Sequence, residues 1–400
     1  MILPGLRADL NLMVSPITDQ PGLLIRDPLK YSDSILVIPP PLVSSLTCFD
    51  GTGTDTDLQT ELSRSLNISD SEAVAAQLIE ALGSAGFLVD ETYKRLREAH
   101  RTAFAKSSVR EAAFAGSAYP AELEPLRTLM RKYLGSPQLT VRRLTGIAAP
   151  HVSPEGGWQC YKAAYDLLTP DLCDRTFIVL GTSHYGQPDM FGLTRKPFRT
   201  PYGETTTNEG LVAELERKPA ALLEDYCHSV EHSIEFQVLF LQALYGPKVR
   251  VVPILCGSFG KHILDGGIPE DDESVKRFLD GLAEIAEREK DSLFWILGVD
   301  MAHMGLRYGD DFVAHADQDE MALVRQRDEQ RIGRVLESDA GGFWNLVQEN
   351  RDDDLKWCGS SAIYSFMKAV PGVRGMLHRY EQWNIDDQSV VSFAGMSFSE

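Results

Sequence analysis

The chain has 400 residues, of which 43% are hydrophobic and 24% charged, and its formal net charge at pH 7 is −19. This composition is typical of a globular protein with room for two domains, and the acidic balance argues against nucleic acid as a partner because it repels phosphate. There is no apolar run of the roughly 20 residues that span a bilayer and no signal-peptide layout, so we expect a cytoplasmic protein that binds no membrane. The six cysteines form no CxxC pair, which argues against a zinc ribbon, an iron–sulfur cluster or a disulfide framework.

Residues 1–105 are predicted to form a small winged-helix-like α+β unit. Strands are expected in GLLIRDP and SILVIPP, helices over 42–49, 57–66 and 70–85, and a wing strand in FLVDE. The first 100 residues contain seven Lys or Arg and 14 Asp or Glu, so the unit is expected to bind a peptide or protein and not DNA. Through LRADL, RDP and FDG it resembles the PqqD-type winged-helix modules that recognise peptide substrates.

Residues 110–400 are predicted to form an α/β domain, joined to the first unit by a charged helical linker. Four apolar strands are expected in LTGIAAPH, RTFIVLGTSH, VRVVPILCGSF and SLFWILGVDMAH, with helices over 158–168, 208–217, 231–245 and 273–288. Buried strands that alternate with helices predict a mainly parallel or mixed central sheet flanked by helices on both faces.

Three histidines follow the carboxyl ends of these strands. His151, His184 and His303 each come directly after an apolar run. Ligands of open α/β sheets bind at this edge, and neutral imidazole is a common metal ligand. Any one of them alone is more often a histidine whose hydrogen bonds are satisfied in the core, but three at one edge favour a functional site.

Two further residues accompany these histidines. Cys358 precedes a helix predicted to start near Gly359, where the helix dipole favours a thiolate; the alternative is a structural cysteine. Asp300 lies three residues before His303 and either pairs with it for acid–base chemistry or caps a helix.

The sequence CHSVEH contains an HxxEH pattern at His228, Glu231 and His232. On a helix, His228 and His232 would share a face and could bind zinc while Glu231 activates water, as in inverzincin metallopeptidases. The alternative is that Glu231, His232 and Glu235 line the rim of the crevice at the strand ends.

Eight motifs occur in the order and spacing of the Memo family, whose bacterial and archaeal members are called AmmeMemoRadiSam system protein B. The resemblance covers about residues 110–400. Three features depart from the usual family pattern: APHVSPEGGW replaces APHAGY, Tyr185 replaces the second histidine of GPSHH, and the Arg and Pro that often follow CG are absent. The motifs are AGSAYP (115–120), APH (149–151), LGTSH (180–184), TPYGE (200–204), EHSIE (231–235), DMAHMG (300–305), CGSSAI (358–363) and DDQSVVSFAG (386–395).

This resemblance implies a fold similar to the LigB-type class III extradiol dioxygenases. It implies iron or copper held by His151, His184 and Cys358. It also implies that His303, with Asp300, acts as the acid/base, and that Glu231 and His232 face the same pocket. On this interpretation the HxxEH pattern is a coincidence. A radical SAM protein and an AMMECR-like protein are the implied partners.

Three functions follow as hypotheses. The preferred one is a non-haem redox enzyme that uses iron (Fe²⁺) ahead of copper, with open coordination positions for O₂ or a substrate. The second is a non-catalytic scaffold of an AmmeMemoRadiSam system that binds a peptide or protein through the N-terminal unit. The third is a zinc peptidase that uses His228 and His232.

Overall fold

The computed structural model describes residues 1–15, 19–135 and 144–400. These residues divide into two compact units, Met1–Lys106 and Ser107–Glu400, and each unit has its own hydrophobic core. No helix in the described part of the chain is long and apolar enough to cross a membrane.

The first unit is a three-stranded antiparallel sheet followed by helices. Its core contains Ile25 of the central strand together with Leu58, Leu62 and Leu82 of two helices. A buried bidentate ion pair between Arg7 and Asp27 ties the N-terminal segment to the sheet. The elements are β1 (Asn11–Val14), β2 (Leu23–Arg26), β3 (Ile35–Ile38), α1 (Pro40–Val43), a 3-10 helix (Ser44–Cys48), α2 (Asp55–Leu66), α3 (Glu72–Ser84) and α4 (Glu91–Lys106).

The prediction of a wing strand in FLVDE is wrong. Leu88 makes a single antiparallel bridge with Leu6, and the chain then turns into α4, where Asp90 accepts a hydrogen bond from the backbone N–H of Tyr93. The third strand of the sheet is β1, which precedes the two predicted strands. The predicted strands in GLLIRDP and SILVIPP are confirmed as β2 and β3.

The second unit is built on a ten-stranded mixed sheet. Its main path runs β10-β6-β11-β5-β12-β4-β15-β13, with β14 paired to β15 and β9 paired to β11, while β7 and β8 form a separate pair. The strands are β4 (Leu144–Ala149), β5 (Thr176–Thr182), β6 (Phe191–Leu193), β7 (Arg199–Thr200), β8 (Gly203–Glu204), β9 (Thr206–Thr207), β10 (Ala221–Leu223), β11 (Arg250–Cys256), β12 (Leu293–Gly298), β13 (His303–Gly305), β14 (Arg374–Asp386) and β15 (Ser389–Ser399).

Helices cover both faces of this sheet, which confirms the predicted fold class. In β5, Ile178 and Leu180 pack into one core cluster, whereas Phe177 and Val179 pack into another on the opposite face. The helices are α5 (Leu123–Tyr133), α6 (Pro154–Tyr165), α7 (Glu209–Glu216), α8 (Glu235–Tyr245), α9 (Gly260–Asp265), α10 (Glu273–Arg288), α11 (Glu320–Leu336), α12 (Ala340–Val347) and α13 (Ser360–Ala369). Short 3-10 turns occupy Pro170–Asp174, Tyr226–Ser229, Pro269–Asp271, Leu306–Tyr308 and Glu349–Arg351.

The four predicted strands are β4, β5, β11 and β12, which are parallel neighbours at the centre of the sheet. In their register Gly181 of β5 lies beside Gly298 of β12, and Gly298 lies beside Ala149 of β4. The carboxyl ends of these strands therefore lie at the same level, and the residues that follow them share one edge of the sheet.

Two glycines let another segment cross this edge. A Cβ on Gly181 would lie 2.5 Å from Ser233 Oγ, and a Cβ on Gly298 would lie 2.2 Å from the Ser233 carbonyl oxygen. Because these distances are shorter than real side chains allow, only glycine permits the segment to pack directly on the strands. The crossing brings residues 231–235 over the strand ends.

Candidate metal centre

His151 follows β4 and is almost fully buried. Its Nδ1 lies 2.9 Å from the carbonyl oxygen of Gly298, at the end of the neighbouring strand β12. A carbonyl only accepts hydrogen bonds, so Nδ1 is the donor and the ring presents Nε2 to the site. The backbone N–H of His151 donates to Oδ1 of Asp300 at 2.8 Å.

His184 follows β5 and is held by Glu231. The Glu231 carboxylate accepts hydrogen bonds from the backbone N–H of His184 and from its Nδ1, the latter at 2.8 Å. Burial alone would lower the pKa of His184. The Glu231 carboxylate and Cys358 together have a larger, opposite effect and raise this pKa well above its ordinary value. The Glu231 side chain is buried and that of His184 is 25% exposed. Glu231 therefore orients the imidazole so that Nε2 faces away from the carboxylate.

His232 completes a cluster of three imidazoles. Its ring centroid lies 5.0 Å from that of His184 and 5.1 Å from that of His151. Burial, followed by the charges of His184, His151 and His303, holds the pKa of His232 well below its ordinary value. One ring nitrogen from each of His151, His184 and His232 lies within 4.8 Å of the other two, so these three side chains could hold a metal ion.

The thiol of Cys358 lies against this cluster. Its Sγ is 3.2 Å from Nε2 of His151 and 3.7 Å from the carbonyl oxygen of Asp300. The following helix, α13, begins at Ser360, as expected for a cysteine next to a helix N-terminus. Burial raises the pKa of Cys358, but the imidazoles of His151 and His184 lower it more strongly, to about 7. The neighbouring imidazoles are therefore what favours the thiolate.

In the metal-free protein we expect the alkylation rate of Cys358 by iodoacetamide to rise with pH around a midpoint near 7. The thiolate is the nucleophile, and an ordinary thiol would give a midpoint of roughly 8.5. The measurement is mass spectrometry of the modified peptide, with Cys358→Ser as the blank. Burial raises the pKa of Cys160 and Cys256, so these thiols should stay unmodified. A Cys358 midpoint at or above 8.5 would contradict this prediction.

Asp300 and His303 both reach the same region, and the charge of Asp300 opposes the lowering of the His303 pKa by burial, but the hydrogen bonds that orient His303 do not come from Asp300. Nδ1 of His303 lies 2.8 Å from the carbonyl oxygen of Met301 and 3.1 Å from that of Lys356, so backbone carbonyls orient this ring. The Asp300 carboxylate contacts His151 instead, with Oδ2 3.4 Å from Nε2. Burial raises the pKa of Asp300 to about 6.

The helical HxxEH arrangement predicted at 228–232 is wrong. The helix expected over 231–245 begins only at Glu235, and His228 lies in the preceding 3-10 turn. The two histidines therefore do not share a helical face. His228 is fully buried, and its Nε2 lies 3.0 Å from the carbonyl oxygen of Gly192. His232 joins His151 and His184 instead.

The buried carboxylate of Asp328 was not among the predicted site residues. It accepts hydrogen bonds from Trp357 Nε1 at 2.6 Å, Tyr380 Oη at 2.7 Å and Ser392 Oγ at 2.6 Å. Trp357 precedes Cys358, and Ser392 Oγ accepts a hydrogen bond from the backbone N–H of Ala302. Asp328 therefore ties the segments that carry Cys358 and His303 to α11. Its position on the buried stripe of that helix was the available sequence signal.

A second network that the sequence did not reveal surrounds Glu235. Its buried carboxylate pairs with the buried guanidinium of Arg110 and accepts a hydrogen bond from Tyr119. Arg110 also donates to the carbonyl oxygens of His228 and Glu231, at 2.7 and 2.8 Å. This network fixes the backbone from which Glu231 and His232 reach the cluster.

Comparison with known proteins identifies the family. The family model for Memo-like proteins matches residues 110–397. A MEMO1 family protein of Aquifex aeolicus is 28% identical over 386 residues, which are 94% of this chain and 95% of that protein. A MEMO1 family protein of Thermococcus kodakarensis is 30% identical over 307 residues, 72% of this chain and 99% of that protein. The Aquifex alignment also extends into the N-terminal unit. The chain therefore belongs to the Memo family, as its motifs predicted.

Proposed function

We propose that this chain is a metal-dependent redox enzyme whose metal is iron, with copper as the second choice. The observation that carries the proposal is the convergence of three imidazoles and one thiol at the carboxyl edge of the sheet. Imidazole suits iron, copper and zinc, thiolate ligands bind these metals as well, and of the three only iron and copper supply redox chemistry.

His151, His184 and Cys358 are the proposed ligands. Hydrogen bonds from Nδ1 of both imidazoles leave their Nε2 atoms to bind a metal, and the lowered pKa of Cys358 makes its thiolate available near neutral pH. The contact of 3.2 Å between Cys358 Sγ and His151 Nε2 supports a shared site. His232 is the competing third ligand, because its imidazole completes the three-histidine cluster.

A bound redox metal would supply one-electron chemistry, and the surrounding side chains would manage protons. Hydrogen bonds to two carbonyls place the proton of His303 on Nδ1, so its Nε2 is the atom that accepts a proton. Burial lowers the pKa of His303 more than Asp300 raises it, which keeps the ring neutral at pH 7. Burial and the charges of His184, His151 and His303 keep His232 neutral, and this ring assists His303 at the site.

The test is anaerobic purification followed by loading with Fe²⁺, Cu⁺ or Zn²⁺, elemental analysis and a redox titration followed by electron paramagnetic resonance. We expect bound iron that cycles reversibly between two oxidation states, with a spectrum that changes in Cys358→Ser. His315→Ala, which removes an exposed imidazole, is the matched control and should keep the wild-type spectrum. Retention of zinc alone, with no redox-active ion, would overturn the proposal.

Glu231→Gln is expected to weaken metal affinity by about 10–100-fold. The substitution keeps the volume of the side chain but removes the negative charge of the carboxylate that accepts the hydrogen bond from His184 Nδ1. Competition with a chelator measures the affinity. Glu204→Gln, at a carboxylate that pairs with Arg199 on the surface, should leave it unchanged. Equal affinities for both variants would show that Glu231 does not support a ligand.

A further inference from the structure

We propose that helix α11 clamps the segment 353–357 and thereby selects the thiolate of Cys358, and not the imidazole of His232, as the third ligand of the candidate metal centre. The inference rests on the proposed metal-binding function. The clamp acts through the segment that precedes Cys358, so its members are positioning residues. They are three charged residues of α11, namely Arg327, Asp328 and Arg331.

Two of the clamp residues are arginines that pair with successive aspartates. Arg327 donates to Asp354 through both terminal nitrogens, at 2.8 and 2.6 Å. Arg331 donates to Asp353 at 2.8 Å. The Arg331 side chain is buried, whereas the pair of Arg327 and Asp354 lies at the surface. Because a buried charge that loses its partner is far more costly than an exposed one, Arg331 contributes more to the clamp.

Asp328 holds the residue directly before the cysteine. Its fully buried carboxylate accepts a hydrogen bond from Trp357 Nε1 at 2.6 Å. The backbone N–H of Trp357 donates to the Asp353 carboxylate at 3.1 Å, so this tryptophan is fixed through both its side chain and its main chain. Since a peptide bond joins Trp357 to Cys358, these contacts restrict where the thiol can lie.

The backbone around the clamped segment is strained. Arg351 and Lys356 have φ angles of 58° and 54°, in the left-handed region that is unfavourable for residues other than glycine. Such a conformation persists where the surrounding contacts impose it, and the pairs with α11 are contacts of this kind. Without the clamp, we expect the segment to relax and to move Cys358 away from the imidazoles.

The two candidates for the third ligand are held by different parts of the chain. Sγ of Cys358 lies 3.2 Å from His151 Nε2 and depends on the clamped segment for its position. His232 follows Glu231, whose carbonyl oxygen accepts a hydrogen bond from Arg110 at 2.8 Å. Loss of the clamp should therefore displace the thiol and leave the imidazole in place.

The experiment uses the full chain loaded with Co²⁺, because thiolate binding to Co²⁺ gives a near-ultraviolet charge-transfer band that imidazole ligands do not give. Asp328→Leu removes the acceptor, and Trp357→Phe removes the N–H donor but keeps a ring. We expect both variants to lose most of this band and to retain Co²⁺. Asp328→Asn keeps an oxygen that accepts from Trp357 and should restore the band. Glu329→Gln, at an exposed carboxylate of the same helix, is the matched control and should keep the band.

Hydrogen exchange of the metal-free proteins provides a second measurement, followed by mass spectrometry. In Asp328→Leu and Trp357→Phe, the backbone amides of residues 353–357 should exchange about tenfold faster than in the wild type. The amides of the central strand β5 should exchange at the wild-type rate. Faster exchange confined to the segment distinguishes a clamp from a general loss of stability.

A full charge-transfer band in Trp357→Phe, or wild-type exchange of its segment 353–357, would overturn the proposal. Trp357→Phe decides the result if Asp328→Leu does not fold, as checked by circular dichroism. Cys358→Ser separates this proposal from the ligand assignment. If Cys358→Ser keeps the band, the assignment of Cys358 as a ligand is wrong. If Cys358→Ser loses the band and both clamp variants keep it, only the clamp is refuted.

Discussion

His151→Ala and His184→Ala are each expected to reduce bound iron to background in the anaerobically loaded protein. Both imidazoles have Nδ1 bonded to a protein acceptor and Nε2 directed to the common site, so each substitution removes a ligand and leaves its orienting partner in place. The loss should exceed the roughly 10–100-fold expected when only a hydrogen-bonding partner of a ligand is removed. Elemental analysis after gel filtration measures the bound metal.

The third ligand is decided by two further variants in the same assay. If Cys358 is the ligand, Cys358→Ser should lose most of the metal and His232→Ala should retain it. The reverse pattern would assign the site to the three imidazoles. Full occupancy in all four variants, with His315→Ala as the control, would show that the metal binds elsewhere.

Arg110→Met is expected to lower the free energy of unfolding by about 3–5 kcal/mol. The methionine keeps much of the side-chain volume but leaves the Glu235 carboxylate buried without its cation, and it removes the donors to His228 and Glu231. Denaturant unfolding of the full chain, followed by tryptophan fluorescence, measures the change. All five tryptophans lie in the second unit, where the substitution is made.

Arg199→Met provides the matched control. Arg199 pairs with Glu111 and Glu204 on the surface, where water screens the charges. The substitution should therefore lower the free energy of unfolding much less than Arg110→Met does. If the two variants have the same free energy of unfolding, the buried Arg110–Glu235 pair stabilises the fold no more than the surface pairs of Arg199 do. A normal metal content in Arg110→Met would further show that its contacts with the 228–231 backbone do not position the site.

Local sequence patterns identified the centre of the second unit well. Fully apolar runs predict strands covered on both faces, and β4, β5, β11 and β12 are those strands. The antiparallel strands β14 and β15 were not predicted. β14 is largely exposed and lacks an apolar run, whereas β15 is buried but its apolar residues are interrupted by serines and a glycine. The predicted wing strand failed for a related reason: a short apolar stretch does not indicate whether a partner strand is available.

The strand-end histidines could be found from the sequence because strand direction and the end of an apolar run are local properties. His151 and His184 needed no other information to be placed at one edge of a parallel sheet. Cys358 was located by its position before a helix and by its family motif. The pKa shift that makes it a ligand candidate arises from imidazoles more than 170 positions away in the sequence.

Sequence alone thus determined the fold class, the family and the edge of the sheet where the candidate centre lies. Only the tertiary structure showed that Glu231 orients His184, that carbonyls orient His303, and that His232 joins the cluster while His228 does not. The physical reason is that a strand or helix follows from neighbouring residues, whereas these contacts depend on how a distant segment crosses the sheet. Here that crossing is possible because Gly181 and Gly298 leave room for Ser233.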